Sequence, residues 1–362
     1  MIGVSADDPT RVYVLEASGG KFGAFYKSTN SASSFTKITT HTGKNYFGYS
    51  TKADDTRGQA PRDMAITVNP TDADEVHIAG INTWRSLDAG NSFDPTSDWV
   101  PGRTVTNNIG YCHADVDIMV FYGTTLYVGS DGGFFISENT KNLNKDYYKD
   151  LSTGMGIRQF YKIGVSQSSP VVISGGSQDN GTSVMKGVDP TWYDWLGADG
   201  MESFVDWNNP NNLYGTSQNG SLYKSTNGGQ SYKGITKPAG NGNWVTPFEQ
   251  DPQVATTIYS GYSQVYKSTN SGGSWTSISQ DFGGNLNQLK IAKSNNKIMY
   301  ASRGSSLYKT TTGSGTWTKL SGFSGTVNYI AIHPGDPNRI AIALSLIHIL
   351  RCRRLLTFRS RL

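Results

Sequence analysis

Three acidic side chains beside glycine-containing turns are the strongest candidates for chemistry in this chain. Asp179 precedes Asn180, Asp199 precedes Gly200, and Glu202 follows closely. Two carboxylates held about 5–10 Å apart can hydrolyse a glycosidic bond, so these three are the candidate catalytic residues. The simpler interpretation is structural, because Asp and Asn side chains accept hydrogen bonds from the backbone of their own turns.

The same stretch could instead bind a ligand without transforming it. Amide and carboxylate groups bind hydroxyls, and indole rings stack on sugars. The tryptophans in question fall outside the regular pattern described below, which makes them better candidates for an exposed platform than for a core. We therefore predict a binding surface from Gln178, Asp179, Asn180, Trp192, Trp195 and Trp207.

A weaker candidate is a metal site at His113, Asp115 and Asp117. Carboxylate oxygens suit Ca²⁺, but the ligand spacing of an EF-hand is missing. An incidental surface histidine is the simpler interpretation, and we expect no cofactor. Asp131 precedes two glycines and is expected to shape a turn, whereas Cys112 is expected to be a buried free thiol.

An eight-residue pattern recurs along the chain and indicates the elements that position these groups. It reads Ser, any residue, Asp or Asn, any residue, Gly, any residue, Ser or Thr, aromatic, and we call it the box. Copies begin at Ser225 and, 43 residues later, at Ser268; a weaker copy begins at Thr310. The third positions of the three best boxes, and of the weaker copy that begins at Ser28, are predicted to be structural: Asn30, Asp88, Asn227 and Asn270.

Each part of the box has a mechanical role. The third residue can accept backbone N–H groups of the turn, and glycine at the fifth position permits positive φ. The closing aromatic, such as Phe93, Trp275 or Trp317, can fill the space between sheets. Arg85 occupies the position before a box and is expected to face outward.

The boxes are preceded by Asp-Pro or Asn-Pro turns and by short stretches rich in β-branched or aromatic residues. Apolar and polar residues alternate with period two in these stretches, and no sustained helical period is present, so the stretches are predicted to be strands. Such units cannot bury their faces alone, whereas four-stranded units of about 40–45 residues set radially can. The sequence therefore predicts an all-β propeller of about seven blades, with an incomplete eighth unit from about 327. The predicted units are 2–40, 60–100, 113–155, 159–196, 202–236, 245–281 and 287–322.

The boxes resemble the Asp-box, or bacterial neuraminidase, repeats of sialidases, sortilin-like receptors and some xyloglucan-active glycoside hydrolases. Segments 129–137 and 175–182 resemble motifs of large secreted bacterial proteins of this type. The resemblance covers roughly residues 2–344 and implies a secreted or cell-surface protein whose signal and sorting segments lie outside this chain. It marks the fold rather than an activity.

Several functions can be weighed on composition. A sialidase needs an arginine triad, and only eight arginines fall in residues 1–344, without the early Arg-x-Pro motif. We therefore expect a non-catalytic scaffold for an extracellular protein or polysaccharide, with a glycoside hydrolase other than a sialidase as the alternative. No apolar run is long enough for a membrane-spanning helix, so no membrane insertion is expected.

The C-terminal stretch differs in character from the rest. Residues 345–362 contain five arginines and no acid, which favours a non-native or disordered basic tail over a native helix or a membrane-binding tail. The whole chain carries a formal charge of +4, so residues 1–344 carry −1. A nucleic-acid partner is therefore not expected, because the basic excess belongs to the tail.

Overall fold

The computed structural model describes residues 1–238 and 240–345, so the predicted basic tail lies outside the described residues from 346 onward. Within the described part, the chain forms seven four-stranded antiparallel sheets, each with its strands in chain order. This confirms the all-β prediction and gives the number and kind of sheet found in a seven-bladed propeller. The chain divides into two compact units, Met1–Ile157 and the residues from Arg158 onward.

The first unit contains three of these sheets. Sheet 1 comprises β1 (Ile2–Val4), β2 (Val12–Ser18), β3 (Lys21–Ser28) and β4 (Thr36–Lys37); sheet 2 comprises β5 (Ala65–Asn69), β6 (Asp72–Ala79), β7 (Thr83–Ser86) and β8 (Asp94–Pro95). A parallel pair follows, β9 (Ser97–Asp98) and β10 (Gly110–Tyr111). Sheet 3 comprises β11 (Val116–Tyr122), β12 (Thr125–Ser130), β13 (Gly133–Ser137) and β14 (Lys149–Asp150).

The second unit contains four more sheets and a final strand pair. Sheet 4 comprises β15 (Phe160–Val165), β16 (Val172–Ser177), β17 (Thr182–Lys186) and β18 (Trp192–Leu196); sheet 5 comprises β19 (Ser203–Val205), β20 (Leu213–Ser217), β21 (Ser221–Ser225) and β22 (Lys233–Gly234). Sheet 6 comprises β23 (Phe248–Gln250), β24 (Ile258–Gly261), β25 (Val265–Ser268) and β26 (Thr276–Ser277). Sheet 7 comprises β27 (Gln288–Ile291), β28 (Met299–Arg303), β29 (Ser306–Thr310) and β30 (Thr318–Leu320), and the pair is β31 (Val327–Ile332) with β32 (Ile340–Leu344).

The boxes form the turns between the third and fourth strands of their sheets. In sheet 2, one carboxylate oxygen of Asp88 accepts the N–H groups of Asn91 and Ser92 at 3.0 and 2.9 Å and the hydroxyl of Ser86 at 2.7 Å. The other oxygen accepts the Ser92 hydroxyl at 2.7 Å. In three other boxes, the side-chain oxygen of the asparagine at the third position accepts the backbone N–H of the residue four positions later at 2.9–3.0 Å; these asparagines are Asn30, Asn227 and Asn270.

In the boxes that begin at Ser28, Ser86, Ser225 and Ser268, two successive residues adopt positive φ, where the sequence pattern predicted one. In sheet 2 these are Ala89 at 58° and Gly90 at 78°. Gly90 is required for a second reason, since a Cβ there would collide with the ring of Phe25. The fifth position therefore combines a left-handed backbone with close approach to the core.

Aromatic side chains fill the core of the first unit. Phe25, Trp84 and Phe93 belong to a cluster between sheets 1 and 2, and segment 38–64 adds Tyr46 and Phe47 to it. This segment, which contains a short 3₁₀ helix at Thr39–His41, accounts for the longer spacing between the first two boxes. Burial of each such ring stabilises the fold by about 1.5–3 kcal/mol.

Within residues 1–238 and 240–345, helical structure is limited to short segments. One α-helix, Pro101–Asn107, begins with proline at a position that needs no N–H donor and ends at Asn108 in the left-handed region. A second 3₁₀ turn spans Gln218–Gly220. In the described part of the chain, no helix is long and apolar enough to cross a membrane.

Two expectations about individual side chains had different outcomes. Cys112 is fully buried and unpaired, as predicted, and burial raises the pKa of its thiol. The expectation that Arg85 faces outward is wrong. Arg85 is 6% exposed, donates to the carbonyl of Thr140 at 2.7 Å and lies over the ring of Tyr147, because the neighbouring sheet supplies a polar acceptor there.

Candidate functional site

The first strands of successive sheets lie side by side in the second unit. β15 contacts β19, β19 contacts β23, β23 contacts β27, and β27 contacts β31. The ammonium of Lys162 on β15 also reaches the Gln288 amide oxygen on β27, at 3.4 Å, and the ring of Tyr329 on β31, at 5.1 Å from its centroid. Side chains from all these strands can therefore meet in one place.

We call the charged group formed there the inner-strand cluster; its members are Lys162, Glu202, Glu249, Lys290 and Tyr329. Lys290 forms an ion pair with Glu249, and both side chains are largely buried at 21% and 24% exposure. The Lys290 ammonium lies 5.5 Å from the centroid of the Tyr329 ring, which Lys162 also contacts. One aromatic ring thus interacts with two cations.

Glu202 immediately precedes β19, and hydrogen bonds of its backbone fix its position. Its N–H donates to the Thr216 hydroxyl at 3.0 Å, and its carbonyl accepts the N–H of Thr216 at 2.9 Å. Burial raises the pKa of its carboxyl to about 7; Lys290 and Lys162 lower it, and Glu249 raises it further. Burial also acts on Lys290, but its pKa is raised because Glu249 and Glu202 favour the ammonium. The cluster therefore holds one carboxyl that titrates near neutral pH beside an ion-paired carboxylate.

A second polar group, which we call the indole network, joins Trp244 in the loop before β23, Tyr161 near the start of β15 and Gln178 in the turn after β16. The indole N–H of Trp244 donates to the Tyr161 hydroxyl at 3.1 Å, and that hydroxyl donates to the Gln178 amide oxygen at 2.6 Å. Tyr161 is the extra residue of a β-bulge, since Phe160 and Lys162 pair with consecutive residues of β16. Trp244 is 43% exposed, so the network presents an oriented ring to solvent.

The predicted acidic residues continue this network. Asp199 accepts the N–H of Asp179 at 2.8 Å and the side-chain amide of Gln218 at 2.7 Å, so its carboxylate ties together two other loops rather than its own turn. Asp179, at a φ of 56°, and Asn180 form the hairpin turn between β16 and β17. Glu202 has different partners, those of the inner-strand cluster.

The predicted tryptophan platform is only partly exposed. Trp192 is 38% exposed and packs against Phe160, with ring centroids 5.2 Å apart. Trp195 is 3% exposed and donates to the Ser174 hydroxyl at 3.1 Å, so the prediction that it is exposed is wrong. A β-bulge explains the difference: Trp195 is the extra residue of β18, and both Trp195 and Leu196 belong to the core cluster of sheets 4 and 5. The Trp207 indole N–H donates to the carbonyl of Asp251 at 2.8 Å, so this side chain connects two segments of the fold.

The predicted metal residues lie in the first unit among charged groups of both signs. Arg62 forms ion pairs with Asp117 and, at 3.3 Å, with Asp131. Asp115 accepts the Gln59 amide at 3.0 Å, and a ring nitrogen of His113 lies 3.1 Å from the carbonyl of Ala114. A guanidinium competes with a metal ion for the same carboxylate oxygens, so this arrangement favours an ion-pair network.

Sequence reasoning found Glu202 but missed its partners. Glu249, Lys290 and Tyr329 come from three separate sheets and carry no motif. The available signal was positional: each occupies the first strand of its unit. Trp244 was missed because it lies in an irregular loop before β23.

Comparisons with known proteins concern the fold. No protein-family model matches the sequence, and no curated protein matches it. Among solved structures, a GH74 enzyme from Niastella koreensis aligns with 88% of this chain and 64% of its own, at 11% identity and a TM-score of 0.30. YCF48 from Cyanidioschyzon merolae aligns with 78% of this chain and 93% of its own, at 11% identity and a TM-score of 0.38. This chain therefore spans less than two thirds of the GH74 enzyme.

Proposed function

We propose that this chain is a non-catalytic carbohydrate-binding scaffold, and that the indole network of Trp244, Tyr161 and Gln178 is its binding surface. The observation that carries the proposal is the continuous hydrogen-bonded connection from an exposed indole to an amide. An indole face covers the C–H groups of a pyranose, and neighbouring amides and carboxylates bind its hydroxyls. Asp199 and Gln218 lie in the adjoining loops and supply such groups.

The network also favours binding through preorganisation. The Trp244 indole is fixed by its bond to Tyr161, and Tyr161 is fixed by its bond to Gln178, so little side-chain entropy remains to be lost on binding. A polysaccharide partner would place the protein outside the cell or at its surface, in agreement with the secreted proteins that the boxes resemble.

A glycan array followed by calorimetry on the best oligosaccharide tests this proposal. Trp244→Ala should weaken binding by about two- to tenfold, since an aromatic stacking contact contributes roughly 0.5–1.5 kcal/mol. Trp192→Ala is the matched control, because Trp192 is also about two-fifths exposed but lies outside the network. Equal affinity for wild type and Trp244→Ala would contradict the proposal, as would a partner that proves to be a protein.

The inner-strand cluster favours a glycoside hydrolase as the second candidate. Glu202, with a pKa near 7, could donate a proton at neutral pH, while Glu249 beside Lys290 could serve as base or nucleophile. Reducing-sugar release from polysaccharides between pH 5 and 8 tests it. Activity abolished by both Glu202→Gln and Glu249→Gln supports the hydrolase, and its absence from the wild type rejects it.

A further inference from the structure

The first unit contains a cavity of about 400 Å³, and none of its lining residues belongs to the inner-strand cluster or to the indole network. It lies against sheet 1, between the start of β3, β4 and the segment that follows β4. Its volume falls in the range of small-molecule pockets, about 300–1,000 Å³. Three lysines line it: Lys21, Lys37 and Lys44.

These lysines have unused binding capacity. Among the residues described by the structure, the ammonium groups of Lys21, Lys37 and Lys44 form no ion pair and no side-chain hydrogen bond. The two lining carboxylates are Asp54 and Asp55, and that of Asp55 already accepts the backbone N–H of Arg57 at 2.9 Å. Each ammonium offers up to three donors, so the cavity has an excess of positive charge and of donors.

The cavity wall is held in place by a buried amide. The Asn45 side chain accepts the N–H of Phe22 at 3.0 Å and donates to the carbonyls of Asp55 and Arg57 at 2.9 and 2.7 Å. Asn45 is 6% exposed and thereby connects β3 to the loop on the opposite side of the cavity. The backbone around the cavity therefore needs little reorganisation when a ligand enters.

The histidine in the wall does not compete for the ligand. One ring nitrogen of His41 lies 2.9 Å from the Tyr46 hydroxyl and the other 2.8 Å from the carbonyl of Gly90. Burial lowers the pKa of His41, so the imidazole is neutral at pH 7. The charge available to a ligand comes from the lysines.

We propose that this cavity binds a small anionic ligand through Lys21, Lys37 and Lys44, the ligand being a carboxylate-, sulfate- or phosphate-bearing molecule about the size of one or two sugar rings. Carboxylate, sulfate and phosphate groups all carry negatively charged oxygen atoms, which accept charge-assisted hydrogen bonds from ammonium groups. The site is independent of the indole network and of the function proposed for it, since all its residues belong to the first unit.

The test is calorimetric titration of the full chain with sodium sulfate, sodium phosphate and sodium glucuronate at matched ionic strength. The triple variant Lys21→Gln/Lys37→Gln/Lys44→Gln should bind at least tenfold more weakly, because a charge-assisted hydrogen bond contributes about a factor of ten or more. The control triple variant Lys149→Gln/Lys233→Gln/Lys237→Gln removes the same charge at lysines that do not line the cavity, and it should bind like the wild type. The five arginines after residue 345 are present in every variant and give a constant background.

The outcomes separate the ligand sources and can overturn the site. Tighter binding of glucuronate than of sulfate and phosphate identifies an acidic saccharide, and the reverse order identifies a free inorganic anion. Unchanged affinity in the cavity variant, an equal loss in the control variant, or no binding of any probe to the wild type would overturn the proposal. All six lysines are exposed, so thermal unfolding of both variants should match the wild type.

Discussion

Replacing Asp88 by alanine should destabilise sheet 2 by about 2 kcal/mol. The Asp88 carboxylate accepts two backbone N–H groups and two serine hydroxyls. Each such bond contributes about 0.5–1.5 kcal/mol net, and the lower part of this range applies because the turn is partly exposed and water can replace some of the bonds. Asp88→Asn is the matched control, because the side-chain oxygens of Asn227 and Asn270 accept the backbone N–H four residues later in other boxes.

Urea unfolding of both variants measures this effect. Asp88→Ala should lower the midpoint without changing the m-value, and Asp88→Asn should lose less than half as much stability. Burial opposes ionisation of Asp88, but the hydroxyls of Ser92 and Ser86 and the backbone N–H groups outweigh it and lower the pKa. The carboxylate therefore stabilises the fold above the unfolded pKa, and that contribution is lost as the pH falls through the folded pKa. Equal losses in the two variants would refute the role of the acceptor oxygen.

Three further predictions follow from burial. Trp195→Ala should lower the free energy of unfolding by about 3–5 kcal/mol and Trp192→Ala by less than about 1 kcal/mol, because only Trp195 is in the core. Urea unfolding measures both values, and similar losses would contradict the placement of Trp195 in the core. Glu202→Gln should gain stability relative to the wild type as the pH rises from 5 to 8. The unfolded chain releases the Glu202 proton at a lower pH than the folded chain, in which the pKa of this carboxyl is about 7, so the wild type loses stability over this range. A stability difference that does not depend on pH would count against a buried carboxyl. In a Cys352→Ser variant, which removes the second thiol of the chain, Cys112 should react with a thiol reagent only upon unfolding, because burial both shields the thiol and raises its pKa. Rapid reaction of that variant in its native state would be inconsistent with this.

The regular part of the fold could be predicted from the sequence because its determinants are local. A proline turn, two alternating strands and a box are encoded within about 40 residues, and each predicted unit encloses one four-stranded sheet. The helix at Pro101–Asn107 and the segment 38–64 were not predicted in detail, because their conformation depends on tertiary contacts such as the bond from the Trp84 indole to the carbonyl of Tyr46.

The candidate site was only partly predictable for a related reason. Gln178 and Asp199 stood out as amide and carboxylate side chains near glycine-containing turns, and the structure does place them in a hydrogen-bonded network. Trp244 and Lys290 gave no such signal, since their roles arise from contacts across sheets that are far apart in sequence. The burial of Trp195 could not be predicted because it depends on a β-bulge in β18, which interrupts the period-two alternation.

The measurement that tests the proposed function most directly is the indole N–H spectrum of the full chain during titration with the best oligosaccharide. The Trp244 signal, identified by its loss in Trp244→Phe, should shift with the binding isotherm, because its N–H donates to Tyr161 within the network. The signals of the buried Trp84, Trp195 and Trp317 should stay unchanged. A saturating ligand that shifts other indole signals and leaves that of Trp244 in place would contradict the account.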